Sequence, residues 1–437
     1  MEGIGLRKDS CVTGFRVVSL RGGMAGLAAL CLALVLGGTP GRAADHPVAT
    51  AEALAAAWAA AAPGDRIVLA PGDYGHIAVK GGGGTADRPV VLTSADGTDP
   101  ARIQELFLRG VSHVVLTGLV LDYRFQPSDA LGARPFGIYD STDVTLSNVL
   151  IDGDLAHDLN ASSDGLPAGF GLAVANTDGV TLQNSEIRGF WRGLTVRESR
   201  NIEVLGNRLH SLRMDGMNFA QVEDVLIERN RIFDFDRSPT SEDHADMIQF
   251  WTGHTTAPTR GVTIRGNLLQ SGDGLFTQSI FMGNNLVDQN KAGEEMYFRD
   301  IAIVDNLIIN AHAHGISLGA SLGVRISGNV LVHNPASDGD RDILKLYRPR
   351  LHVSPLSRDV TVEDNVASEF VLPDPQDAPE WRMARNVAAQ DIARMQPYHY
   401  STVFAGGDPA DPASYMPRPG GVLDGTGVAR VVGAWVD

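Results

Sequence analysis

Six pentapeptides place a polar or ionisable residue ahead of an apolar alternation: Arg192-Gly-Leu-Thr-Val, Asp215-Gly-Met-Asn-Phe, Asp246-Met-Ile-Gln-Phe, Gln278-Ser-Ile-Phe-Met, His314-Gly-Ile-Ser-Leu and Asp342-Ile-Leu-Lys-Leu. In a strand the apolar third and fifth positions point inward and the fourth points out. Stacked in parallel, these strands give one column of Arg192, Asp215, Asp246, Gln278, His314 and Asp342. Beside it runs a second column of Thr195, Asn218, Gln249, Phe281, Ser317 and Lys345. Like charges on adjacent strands lie about 5 Å apart, which drives one carboxyl pKa upward and makes the stack costly without a chemical use. Asp215, Asp246, His314 and Lys345 are therefore candidate acids and bases, with Arg192 and Gln249 as substrate contacts. The competing reading is that Asp and Asn at strand starts close turns on backbone amides, and for Asp215 both readings stand.

The neighbourhood of Asp246 adds to the case. In Glu242-Asp243-His244-Ala-Asp246-Met-Ile-Gln249-Phe-Trp251, Glu242 and Asp243 offer oxygen ligands for Ca²⁺, and Trp251 offers a flat face for a sugar ring while Phe250 belongs to the core. Lys345-Leu-Tyr347-Arg348-Pro-Arg350 is a basic island in an acidic chain. A lyase acting on a uronic-acid polysaccharide must neutralise the sugar carboxylate, remove the proton beside it and protonate the leaving oxygen. Ca²⁺ or Arg348, then Lys345 or His314, then Tyr347 supply those parts. A glycoside hydrolase needs two carboxyls instead, and Asp215 and Asp246 on adjacent coils match the roughly 5 Å of a retaining pair. A C5-epimerase or a non-catalytic glycan-binding protein would use the same columns differently.

These residues meet only if the chain is a repeat. Asp143-Val-Thr-Leu-Ser, Gly179-Val-Thr-Leu-Gln, Asn201-Ile-Glu-Val-Leu, Asp224-Val-Leu-Ile-Glu, Gly261-Val-Thr-Ile-Arg, Asp300-Ile-Ala-Ile-Val, Gly323-Val-Arg-Ile-Ser and Asp359-Val-Thr-Val-Glu are one strand written eight times. An asparagine follows at 207, 230, 267, 306, 329 and 365, where it can take a left-handed turn and bond the neighbouring coil. The basic step is 23 residues, and the longer steps carry insertions containing 236–244 with 252–260, 284–298 and 349–358. Short parallel strands with one turn residue per period predict an all-β fold, a single-stranded parallel β-helix. Ala51-Glu-Ala-Leu-Ala-Ala-Ala-Trp58 predicts a cap helix, and the proline-rich stretch after 370 predicts an irregular tail with a helix over 380–394.

Composition agrees with this reading. The 437 residues include 49 glycines and only 6% aromatics, as a turn-rich elongated body needs. A net charge of −16 argues against nucleic acid as partner. Residues 1–44 combine Arg7, Lys8, Arg16 and Arg21 with an apolar stretch from Met24 to Leu36 and small residues before Asp45, the pattern of an export signal, too short for a stable membrane span. A secreted or periplasmic protein is expected, and both cysteines, Cys11 and Cys31, fall in that leader. The expected parts are the signal (1–44), the β-helix (45–370) and the tail (371–437).

The chain resembles right-handed parallel β-helix proteins of the pectin-lyase-like superfamily. Its stretch 51–92, with Ala62-Pro-Gly-Asp-Arg-Ile-Val-Leu69, Gly81-Gly-Gly-Gly-Thr85 and Arg88-Pro-Val-Val-Leu92, resembles the start of the chondroitinase B and alginate lyase family. That likeness implies export and action on an acidic polysaccharide. A fainter likeness to polygalacturonases rests on His244-Ala-Asp246-Met-Ile, Ser271-Gly-Asp273-Gly, His314-Gly-Ile-Ser-Leu-Gly319 and Lys345. It implies Asp246 and Asp273 as acid and base, His314 as their tuner and Lys345 as a substrate anchor.

Overall fold

A computed structural model describes residues 43–157, 165–238, 244–272, 275–339, 347–392 and 398–436. The leader expected over 1–44 lies almost wholly outside the described residues. From Asp45 onward the chain winds as a parallel β-helix whose coils contribute to three long sheets of 13, 12 and 11 strands among the described residues. The repeat unit legible in the sequence is the 13-stranded sheet. There Val144, Val180, Ile202, Val225, Val262, Ile301, Val324 and Val360 stack in one register, all buried.

The asparagines form a continuous ladder inside the corner that follows this sheet. Each backbone N–H donates to the side-chain Oδ1 of the next asparagine at 2.9–3.1 Å, from Asn207 through Asn230, Asn267, Asn306, Asn329 and Asn365 to Asn386. Each Nδ2 donates to the same Oδ1 and to a carbonyl of the preceding coil, so buried amides are satisfied on both sides. The left-handed turn expected of these asparagines falls one residue earlier, on Gly206, Arg229, Gly266, Asp305, Gly328, Asp364 and Arg385. The division of labour is physical: one residue turns the chain, the next ties the coils.

Helix α1 (Ala51–Ala60) is N-capped by Thr50 and buries Leu54 and Trp58 against the first strands. At the other end the winding continues beyond 370. Arg382–Ala384 joins the 13-stranded sheet and Val387–Gln390 the 12-stranded sheet, so strands replace the helix expected over 380–394 wherever that segment is described. The remaining tail lies along the 12-stranded sheet, where Val403, Phe404, Tyr415, Leu423, Val428 and Val432 cover outward-facing Leu307, Ile309, Val330 and Val332. No helix among the described residues is long and apolar enough to cross a membrane.

Candidate functional site

The 11-stranded sheet carries most of the candidate residues that the structure describes. Its central strands are β1 (Phe136–Tyr139), β2 (Phe170–Ala175), β3 (Arg192–Arg197), β4 (Met217–Ala220), β5 (Asp246–Trp251), β6 (Gln278–Gly283), β7 (His314–Leu318) and β8 (Arg350–Val353). Their third and fifth positions fill the core, where Phe219 stacks on Phe250 with ring centres 4.6 Å apart. Strict alternation would put the first and fourth positions on opposite faces. The second position breaks the pattern: a side chain on Gly193 or Gly216 would strike the carbonyl of the next coil at 2.4–2.5 Å. First and fourth positions nonetheless share a face in β5 and in the segment that leads through β4, where they are bonded to each other.

Side-chain bonds follow from that geometry. Asn218 Nδ2 donates to Asp215 Oδ2 and Gln249 Nε2 to Asp246 Oδ2, each at 2.8 Å across three residues. Asn218 also donates to Gln249 Oε1 and accepts from Trp251 Nε1 at 2.8 Å, so an unbroken chain of donors links the Trp251 indole to both carboxyls. Asp215 and Asp246 are 0% exposed, and one oxygen of each has no hydrogen-bond partner. Arg192 Nε lies 3.1 Å from Asp215 Oδ2, and the largely exposed His244 places Nε2 3.7 Å from Asp246 Oδ2. Burial pushes Asp215 up to about 6 against the pull of Arg192 and Asn218. Burial and the charge of Asp215 together hold Asp246 well above the usual carboxylate range. The pair therefore holds a proton more tightly than free carboxyls do, while Arg192 favours the charged form of Asp215.

Gln278 and His314 continue the column. Gln278 Oε1 accepts from His314 Nδ1, which leaves the lone pair on Nε2. The ring stacks on Phe281 with centres 5.1 Å apart. Burial, then the charges of Arg350, His352 and His244, lower His314 to about 4, so the imidazole is neutral at pH 7. His312 meets it edge-on, and Phe276 contacts both His312 and Tyr347, which places Tyr347 at the corner beside this end of the column.

The last position of each column needs correction. The strand after β7 is Arg350–Val353, so Arg350 follows His314 and His352 follows Ser317, in the places expected for Asp342 and Lys345. The insertion lies before this strand, over 334–349, and not after it. Arg348, expected to neutralise substrate, is 6% exposed and its Nε is held 2.6 Å from Asp391, an ion pair that ties the segment leading into β8 to the start of the tail. Lys345, Asp342, Asp273, Glu242 and Asp243 lie outside the described residues. Among the described residues no three His, Cys, Asp or Glu side chains converge as a metal site requires, and the calcium ligands expected at Glu242 and Asp243 are among those not described.

A groove of about 90 Å³ adjoins the acid pair on the other side, lined by Arg134, Tyr139, Phe170, Arg192, Arg197 and Trp251 over a floor of Thr195 and Asn218. Of these, Arg192, Thr195, Asn218 and Trp251 were expected from the sequence. Arg134, Tyr139, Phe170 and Arg197 escaped because the aligned pentapeptides begin at Arg192 and stop at the fifth position. The register runs one further, through Tyr139, Ala175, Arg197, Ala220 and Trp251. A larger open groove of about 800 Å³ follows the corner between the 11- and 13-stranded sheets. Within it Asp178 pairs with Arg200 and Glu223 with Arg260, each at 2.6 Å, and its described residues include no buried titratable pair.

The family model "right handed beta helix region" matches residues 131–343. Among curated proteins no match is found. The fold is similar to solved structures at low identity. The tailspike protein of Dettilon is 14% identical over 80% of this chain and 64% of its own, with a TM-score of 0.48. This chain thus spans about two thirds of that tailspike's length. An alginate lyase from Paenibacillus is 15% identical over 78% and 98%, with a TM-score of 0.29. A surface adhesin of Streptococcus pneumoniae is 13% identical over 78% and 86%, with a TM-score of 0.40.

Proposed function

Taking the chain as a right-handed parallel β-helix protein of the pectin-lyase-like fold, we propose that it is an exported enzyme cleaving a uronic-acid polysaccharide by β-elimination. The observation that carries this reading is a single outward column in which Asp246, a carboxyl held above its usual range, and His314, an imidazole held below its own, stand two coils apart, with Arg350 on the coil after His314. Arg350, on the coil beside His314, offsets the sugar carboxylate and the charge that develops on it. His314 Nε2 takes the proton from the carbon beside that carboxylate, the C–O bond breaks as the C=C bond forms, and the departing oxygen takes a proton from His244. Asp246, behind His244, restores that proton. Calcium held by Glu242 and Asp243 would add charge at the same carboxylate. The basic and apolar leader of residues 1–44 supports a secreted or periplasmic location.

Hydrolysis is the second reading, favoured by the adjacent-coil spacing of Asp215 and Asp246, close to the roughly 5 Å of a retaining pair. A nucleophile must touch the anomeric carbon, and Asp215 is fully buried and bound to Arg192, which places elimination ahead. Incubation with alginate, pectate, chondroitin and neutral glycans, with and without chelator, separates the readings. Elimination gives absorbance near about 232 nm from the unsaturated uronate, and Asp246→Asn and His314→Ala abolish it in folded protein. New reducing ends without that absorbance would assign hydrolysis, and binding without any product would assign a glycan-binding protein.

A further inference from the structure

The bonds around the acid pair have a direction. Asn218 Oδ1 accepts from the Trp251 indole N–H, and Asn218 Nδ2 donates both to Asp215 Oδ2 and to Gln249 Oε1, which leaves Gln249 Nε2 to donate to Asp246 Oδ2. Two arrangements of these amides are self-consistent. In the one present, the amides donate to both carboxyls. With both amides turned over, Gln249 Nε2 would donate to Asn218 Oδ1, and the two amide oxygens would accept protons from Asp215 and Asp246. The first arrangement favours ionised carboxyls and the second favours protonated ones. An indole N–H donates and cannot accept, so it tolerates only an oxygen opposite it, and a turned-over Asn218 would present its NH₂ group there. The indole is fixed in its place: a side chain on Gly253 would strike the ring at 2.6 Å, and Arg197 lies 5.5 Å over it.

We infer that Trp251 is a positioning residue of the acid pair, whose indole N–H locks Asn218 and Gln249 in the donating arrangement so that Asp215 and Asp246 face amide donors and not amide acceptors. The inference rests on the elimination reading only for the use made of the proton: Asp246 must release it to His244 in each turnover, and an amide oxygen in front of Asp246 would retain it. Burial raises both carboxyls; the bond from Asn218 opposes it at Asp215 and the bond from Gln249 opposes it at Asp246. The charged and titratable groups facing the pair are Arg192 of β3, 3.1 Å from Asp215, and His244, 3.7 Å from Asp246, with His314 beyond Gln278 on the following coils. Trp251 acts on the pair without carrying a charge, through the direction of three successive hydrogen bonds.

Titration of protein isotope-labelled at the aspartate carboxyl carbons, with the two signals assigned from Asp215→Asn and Asp246→Asn, tests the inference without turnover. Trp251→Phe keeps a flat ring and removes the N–H, and should move the higher of the two apparent carboxyl titrations upward by about one pH unit, as for a lost hydrogen bond to a charged group. Trp251→Leu, which removes the ring as well, should give the same rise, and unchanged melting temperatures establish that both variants fold. A rise in only one variant, or in neither, would overturn the inference. In the wild-type protein the Trp251 indole N–H resonance should shift as the pair titrates, and a resonance indifferent to that titration would overturn the inference even if neither variant folded. Raised titrations with no product from the wild-type protein would uphold the positioning role and remove the elimination reading alone.

Discussion

At the residue scale the site is a matter of where protons are kept. Asp215, Asp246 and His314 share one face, and their surroundings push them apart: burial raises both carboxyls, Asp246 under the added charge of Asp215, and lowers the imidazole to about 4. Groups whose environments separate their proton affinities can divide acid and base roles at one pH. His314 must be unprotonated to act, so kcat/KM should rise through pH about 4 and not through 6.5. It should fall on the alkaline side once Asp246, held above the usual carboxylate range by burial and by the charge of Asp215, ionises. Arg350→Gln removes a positive charge that holds His314 down, and should move the acid limb upward. An acid limb near 6.5 that ignores this substitution would remove His314 as the base. These residues were legible in the sequence because the repeat aligns them. The raised pKa of Asp246 was legible only as a tendency, because it depends on total burial and outweighs the hydrogen bond from Gln249.

At the scale of elements, the asparagine ladder sets coil length but not the corner at which extra residues leave the coil. Asn329 and Asn365 are 36 residues apart whether the insertion falls before or after the next strand of the 11-stranded sheet. Asp342-Ile-Leu-Lys-Leu carries the strand alternation as well as Arg350-Leu-His-Val does, so sequence alone chose the wrong one. Pairing with β7 decides it, since His314 meets Arg350 and Ser317 meets His352. The ladder itself was plain, because no other role asks for a buried amide once per coil. Its weight can be measured. Asn267→Ala strands the backbone and side-chain donors of buried Asn230 together with two carbonyls, and should lower unfolding free energy by about 3 kcal/mol or more. Asn386→Ala removes the last, partly solvated rung and should cost about 1 kcal/mol. Equal costs by urea titration would mean that burial of the rung does not matter.

At the scale of the molecule, the tail beyond Gln390 is held by both apolar and ionic contacts. His333, buried on the 12-stranded sheet, meets Asp391 through Nδ1 and Asp338 through Nε2, while Arg348 takes the other Asp391 oxygen. Burial alone would raise Asp391, but the hydrogen bonds and charges of His333 and Arg348 outweigh it and hold the carboxyl at about 2. A lowered carboxyl stabilises the folded state above its ordinary pKa of 3.8 and loses that contribution as pH falls through about 2. Asp391→Asn should therefore lower the melting temperature at pH 7 and bring it closer to wild type near pH 2. A gap that stays constant with pH would show that the ion pair adds nothing beyond packing.

The ladder also bears on how such a chain can grow. Successive rungs span 21 to 39 residues yet use the same bonds, so a rung senses only the amide above and the amide below it. A duplicated 23-residue winding placed between Asn207 and Asn230 would find both partners ready. One inserted ahead of β1 would lengthen the rod and leave the distances among Arg192, Asp215, Asp246 and His314 as they are. Length and chemistry are thus separately heritable in this architecture, and gain or loss of whole windings outside the active stretch is a change the protein can absorb.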